Sequence, residues 1–215
     1  MDPGLILTKD DYERPKSLPE LETWWMAKYR LFGSTREGIN YAREGKGLSK
    51  KFHDEAHPML AFLRHYYPKN SITCKLLAGT EPADAQLISA SGATVQNFQI
   101  TTAVDGYTEA MRRRQLTEFG YVDGLAKLDQ DGVIPNDSLP QARHVLRAEA
   151  INHIGNAVAK KSAKGYDPSF ALIVGFDDHV YDADDRPAFT AAFRTIQHSF
   201  LSLYVVGIHG HIILP

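Results

Sequence analysis

The chain has 215 residues, 43% hydrophobic and 23% charged, with a formal net charge of -2. That length supports one domain with a substantial core and is short for two, and the balance excludes long disorder. A net charge this small excludes a uniformly basic nucleic-acid binder, so any phosphate contact must be a local patch.

The single cysteine, Cys74, excludes an intrachain disulfide framework and a cysteine-based zinc site. The N-terminus lacks a basic stretch followed by an apolar run, and no apolar run approaches a membrane span. The expectation is a cytoplasmic, soluble protein with no membrane partner.

In chain order, residues 1–16 read as a polar, flexible N-terminal lead-in, and 17–215 as a single domain. Ser17 can cap a first helix that has Pro19 in its first turn and ends at Gly33. Residues 33–49 read as a Gly-rich polar loop. A helix over 49–67 carries Phe52, Ala56, Met59, Leu60 and Leu63 at helical spacing, with Pro58 predicting a kink or a late start. Three strands over 72–77, 83–89 and 94–103, punctuated by Gly79, Pro82 and Gly92, predict a β-meander. A short helix over 107–118 and a polar loop over 123–137 follow. A long helix then spans 139–164 and stops at Gly165. Residues 170–176 have the continuous apolar character of a strand buried on both faces. A helix over 186–199 leads to a last strand over 203–208, extended by 212–214. The fold class is α/β, a mixed central sheet flanked by helices.

Three segments carry candidate chemistry in that order. Glu55 lies in the helical KKFHDEAHPMLAFL, Asp84 in EPADAQL at a strand start, and Gln99 and Thr101 in the strand FQITTA. Asp84 and Glu55 offer carboxylates and Gln99 a neutral carbonyl oxygen, which are hard donors suited to Mg²⁺. Gln99 and Thr101 share a strand face. Phosphodiester hydrolysis requires an activated water and charge stabilisation at phosphorus, which divalent ions supply.

Over residues 49–176 this arrangement resembles the PD-(D/E)xK, or restriction-endonuclease-like, nuclease superfamily, whose core is α-β-β-β-α-β. The resemblance implies a hydrolase cleaving DNA (DNA ahead of RNA), with Mg²⁺ or Mn²⁺ as cofactor, in a phage-defence or restriction setting. It implies metal binding by Glu55, Asp84 and Gln99. Thr101 stands where the superfamily usually has Lys; in some relatives that Lys comes from a neighbouring helix, which here points to Lys160 or Lys161. A homodimer or a subunit of a larger complex is compatible with the type. The alternative is a binding or interaction protein that keeps the fold without catalysis.

Basic candidates for phosphate contact are Arg36, Arg43, Lys46, Lys50 and Lys51 in one stretch and Arg112, Arg113 and Arg114 in another. The first stretch is not a P-loop, because Gly45-Lys46 is followed by Gly47. His53 and His57 flank Glu55 as His-x-Glu-x-His, which does not place a general base as His-Glu-x-x-His does, so an exposed pair is expected over a zinc site. His209 and His211 alternate near the C-terminus and could bind metal or phosphate, although strand-edge residues are the plainer reading. Asp177, Asp178 and His179 follow the buried strand, where α/β sheets often line clefts, although a solvated turn is the plainer reading.

Overall fold

Alternating and continuous apolar runs build one seven-stranded mixed sheet in the computed structural model, which describes residues 6–45, 47–69, 72–79, 81–104 and 142–215. The strands are β1 (Lys16–Ser17), β2 (Thr73–Leu76), β3 (Ala85–Ile88), β4 (Thr94–Thr102), β5 (Ala171–Phe176), β6 (Ser202–Gly207) and β7 (Ile213–Leu214), and they lie in chain order across the sheet. β1 to β4 are antiparallel, β4, β5 and β6 run parallel, and β7 returns antiparallel to β6. Parallel neighbours need a crossover. Helix α6 (Arg143–Ser162) lies between β4 and β5, and helix α7 (Arg186–Phe193) between β5 and β6. The expected meander is present as β2–β4.

Each sheet face has its own core. Phe98, Ile100, Ala171, Ile173 and Val206 pack toward helices α2 (Leu18–Ser34) and α5 (His57–Tyr66). Leu172, Val174, Leu203 and Val205 pack with Ile154 and Val158 of α6 and Phe189 of α7. All six residues of β5 are therefore buried, as its unbroken apolar run requires.

Ser17 starts α2 with a capping box. Its backbone N–H and its hydroxyl both donate to Glu20, at 2.8 and 2.7 Å. Helix α4 (Gly47–Lys51) continues through a π-helical turn, Phe52–Ala56, directly into α5. Pro58 has no N–H to give the preceding turn, and the widened turn before it absorbs the misfit. The kink expected at Pro58 is thus a π-turn, and Glu55 sits inside it.

Three expectations change. Residues 33–49 are not a loop: helix α3 (Arg36–Glu44) occupies them, with the Thr35 hydroxyl accepting the Gly38 N–H at 3.0 Å and Gly45 left-handed (φ 56°) at the other end. Residues 6–16 are packed rather than flexible. Helix α1 (Lys9–Glu13) buries Tyr12, and Ile6, Leu7 and Lys16 are buried beside it. The Lys16 ammonium donates to the carbonyls of Asp11, Tyr12 and Arg14 and lies 4.5 Å from the Trp24 ring centroid. Burial lowers its pKa to about 8. The helix expected over 186–199 ends at Phe193. The segments 107–118 and 123–137, with Arg112, Arg113, Arg114 and Lys46, lie outside the described residues. Among the described residues no helix is long and apolar enough to cross a membrane.

Candidate active site

β3 pairs with β4 only as far as Phe98, which faces Ala85. Asp84, one residue before β3, donates its N–H to the Phe98 carbonyl at 2.8 Å, and its Oδ2 accepts the N–H of Ile100 at 2.8 Å. A side chain thus replaces the strand that has ended, and Asp84 is fixed beside a stretch of β4 that, among the described residues, has no strand on that side. There a cleft of about 220 Å³ is lined by Lys50, Asp54 and Glu55, by Lys160 and Lys161 of α6 and Lys164 just beyond it, and by Thr101 and Thr102 of β4.

Lys161 joins the strand residues to the helix. Its ammonium donates to Gln99 Oε1 at 2.7 Å and lies 3.3 Å from Asp84 Oδ2. Gln99 is buried, and its Nε2 donates to the Pro82 carbonyl. That second bond gives a physical reason for an amide here. A carboxylate would set an oxygen against the carbonyl of Pro82, whereas the amide turns an N–H toward it and an oxygen toward Lys161.

Glu55 is held from the other side. Lys51 donates to both its oxygens, at 3.2 and 3.1 Å, and to the Leu77 carbonyl at 3.2 Å. The Tyr12 hydroxyl lies 3.5 Å from Glu55 Oε2 and 3.3 Å from the Lys51 carbonyl oxygen. Burial, joined by the negative charge of Asp84, raises the Glu55 pKa to about 7, and the cations of Lys51 and Lys161 offset this only in part. The Tyr12 hydroxyl is pushed well above its ordinary value by burial and by the charges of Glu55 and Asp84, so it remains a donor.

The structure therefore brings Asp84, Gln99 and Lys161 into direct contact, and Lys161 also lines the cleft with Glu55, Thr101 and Lys160. Of the basic candidates, Lys50 lines the cleft and is paired with Asp54, and Lys51 is the partner of Glu55. Arg36 and Arg43 lie on α3 and do not line it. Sequence reasoning did not find Tyr12, Asp54 or Lys164. Tyr12 had a usable signal in Thr8-x-x-Asp11, where the Thr8 hydroxyl caps α1 by accepting the Asp11 N–H.

The histidines also differ from expectation. His57 is stacked on Trp25 at 4.4 Å and is not an exposed partner of His53. Burial lowers its pKa to about 4, helped by the neighbouring His53 and His209, so the ring is neutral. His209 lies in the turn after β6 rather than on a strand edge, with Nε2 3.2 Å from Asp177 Oδ1. Comparison with family models, with curated proteins and with solved structures finds no match to this chain, so its chemistry must be read from its own residues.

Proposed function

We propose that the chain is a divalent-metal-dependent nuclease of the PD-(D/E)xK type that hydrolyses phosphodiester bonds in DNA, with phage defence or restriction as its setting. One observation carries the reading: the Lys161 ammonium straddles Asp84 Oδ2 and Gln99 Oε1. A helix thereby supplies a cation to the place where β4 itself offers Thr101.

The residues fit the cofactor by donor chemistry. Asp84, Glu55 and the Gln99 carbonyl are hard oxygens, and a cation already sits between two of them in the form of Lys161. Mg²⁺ or Mn²⁺ held by these three would activate a water and offset charge at phosphorus. Asp84 is held in place by the Ile100 N–H, so its carboxylate is preorganised. Lys161, bonded to Asp84 and Gln99, would orient the attacking water or offset charge on a phosphate oxygen. Lys50, Lys160 and Lys164 form a basic rim suited to a polyanion backbone.

A second reading is a binding protein of the same fold without catalysis. It is favoured by the partners that the donors already have: Lys161 on Asp84 and Gln99, and Lys51 and Tyr12 on Glu55. A plasmid and single-strand cleavage assay with Mg²⁺ and with Mn²⁺ separates the two. The nuclease reading expects cleavage that chelator abolishes and that falls at least about 100-fold in Asp84→Ala and in Lys161→Ala. Cleavage unchanged in Asp84→Ala removes this site from the reaction, and DNA binding without cleavage in either metal selects the second reading.

A further inference from the structure

The geometry points to a second metal site, built from Asp177, His179 and His209 and selective for a divalent transition metal of the zinc class. β5 and β6 are parallel neighbours whose last residues, Phe176 and Gly207, are in register. Their loops therefore leave the same end of the sheet side by side, the first carrying Asp177 and His179 and the second His209. Asp177 Oδ1 lies 2.7 Å from His179 Nδ1 and 3.2 Å from His209 Nε2, and one ligand atom from each residue lies within 4.8 Å of the other two. Donors at zinc–nitrogen distance around one tetrahedral ion are separated by roughly 3.3 Å, so little movement is needed to seat a metal.

The backbone that presents these ligands is fixed from beneath. Asp178 is fully buried, and its carboxylate accepts the N–H groups of His209 at 2.8 Å, His211 at 2.6 Å and Ile212 at 2.9 Å. Gly207 makes room for it, because a Cβ there would collide with that carboxylate. The Ile208 N–H bonds the Phe176 carbonyl at 3.0 Å, and Gly210 takes the left-handed φ of 83° that closes the turn. The buried carboxylate of Asp178 holds the turn that carries His209, and Asp177 Oδ1 also accepts the His179 backbone N–H at 3.2 Å, so the His209 ring is the group whose approach these backbone bonds do not require. Two imidazole nitrogens are borderline donors, and with them beside one hard carboxylate oxygen the set favours Zn²⁺, Co²⁺ or Ni²⁺ over Mg²⁺. Solvent can complete the shell. None of the three residues lines the cleft that Glu55 and Lys161 share, so this site is separate from the proposed catalytic one.

Calorimetric titration of the chelator-stripped full chain with Zn²⁺ tests the assignment, with Co²⁺ absorption as an independent readout. One Zn²⁺ per chain is expected. It should persist in the Glu55→Gln/Asp84→Asn double variant, which removes the cleft donors. Binding should weaken at least about 10-fold in His209→Ala and in His179→Ala, whose side chains are exposed and can be replaced without opening a core. Bound Co²⁺ should show a visible d–d band that both histidine variants lose. Zn²⁺ binding that is absent, that survives both histidine substitutions, or that disappears only with the cleft donors overturns the site. The outcome does not depend on whether the cleft cleaves DNA.

Discussion

Glu55 illustrates how placement changes the chemistry of a single side chain. It is taken from water and faces the charge of Asp84, so its carboxyl holds a proton up to about pH 7. The raised folded pKa means that the native state binds more protons than the unfolded chain between about 4.5 and 7. Stability from this group is therefore present at low pH and lost as pH rises through that window. In chelator, urea unfolding at about pH 5 and about pH 8 should show the wild type losing roughly 3 kcal/mol relative to Glu55→Gln. A parallel response of the two proteins would show that Glu55 is not held protonated. Added Mn²⁺ should shift this transition to lower pH, because a metal ligand must be ionised. Under the proposed function, cleavage should accordingly climb as pH passes about 7. Gln99 is shaped by the same surroundings: its amide satisfies the Pro82 carbonyl and Lys161 at once, which an ionised carboxylate could not do.

At the scale of elements, the position of Glu55 depends on how the helix that carries it meets the sheet. Pro58 follows the π-turn and packs directly on β5 at Gly175, where a Cβ would collide with the proline ring. Glycine at this point of a fully buried strand therefore sets the approach of the helix. Gly175→Ala should cost about 1–3 kcal/mol through overpacking and should displace the turn that carries Glu55. Thermal or urea unfolding reads the first effect, and the pH dependence of Glu55 reads the second. Adding Pro58→Ala should recover part of the loss. If the double variant is less stable than the sum of the two single changes, the packing of Pro58 on Gly175 is not what limits the approach.

For the whole molecule, a formal net charge of -2 means that a DNA partner cannot be attracted by the surface as a whole. Under the proposed function, attraction would come from a local basic patch, and in the cleft Lys50, Lys160, Lys161 and Lys164 outnumber Asp54 and Glu55. Replacing Lys50, Lys160 and Lys164 by Ala should weaken duplex binding evenly across sequences. It should also flatten the dependence of log affinity on log salt by roughly 0.9 for each phosphate that is no longer neutralised. Lys50 should contribute least, because Asp54 already neutralises it. Anisotropy titrations over a salt series measure both effects, and an unchanged slope would place the nucleic-acid interface elsewhere. The N-terminal segment belongs to this scale too. Tyr12 and Glu13 of α1 reach Glu55 and the Ala78 N–H, more than 40 residues further along the chain, so the site is supported across the whole fold.

Much of the architecture was legible because its signals are local. The alternation and turn residues of 72–103 specify a meander, the apolar run 170–176 specifies a strand covered on both faces, and Ser17 with Glu20 specifies a helix start. Each depends on neighbours a few residues apart. Helix α3 was less legible because glycines at 33, 38, 45 and 47 resemble a loop; only packing shows that Gly38 has too little room for a side chain, its Cβ position lying 3.1 Å from the Leu31 carbonyl oxygen. The residues 6–16 looked polar because the apolar part of their burial, around Tyr12, is completed by Trp24 of α2.

The sequence by itself determined the α/β class and the order in which Glu55, Asp84 and Gln99 fall on their elements, since strand alternation and helix period follow from short-range sterics and hydrophobicity. Only the tertiary structure decided that Lys161 rather than Lys160 reaches Asp84 and Gln99, because the roughly 100° between successive helix residues turns one inward and leaves the other exposed. Only the tertiary structure decided, likewise, that Asp177 and His209 meet, because their approach follows from the side-by-side pairing of two strands separated by a helix. Long-range pairing is a property of how the elements bury their faces together, and no spacing along the chain encodes it directly.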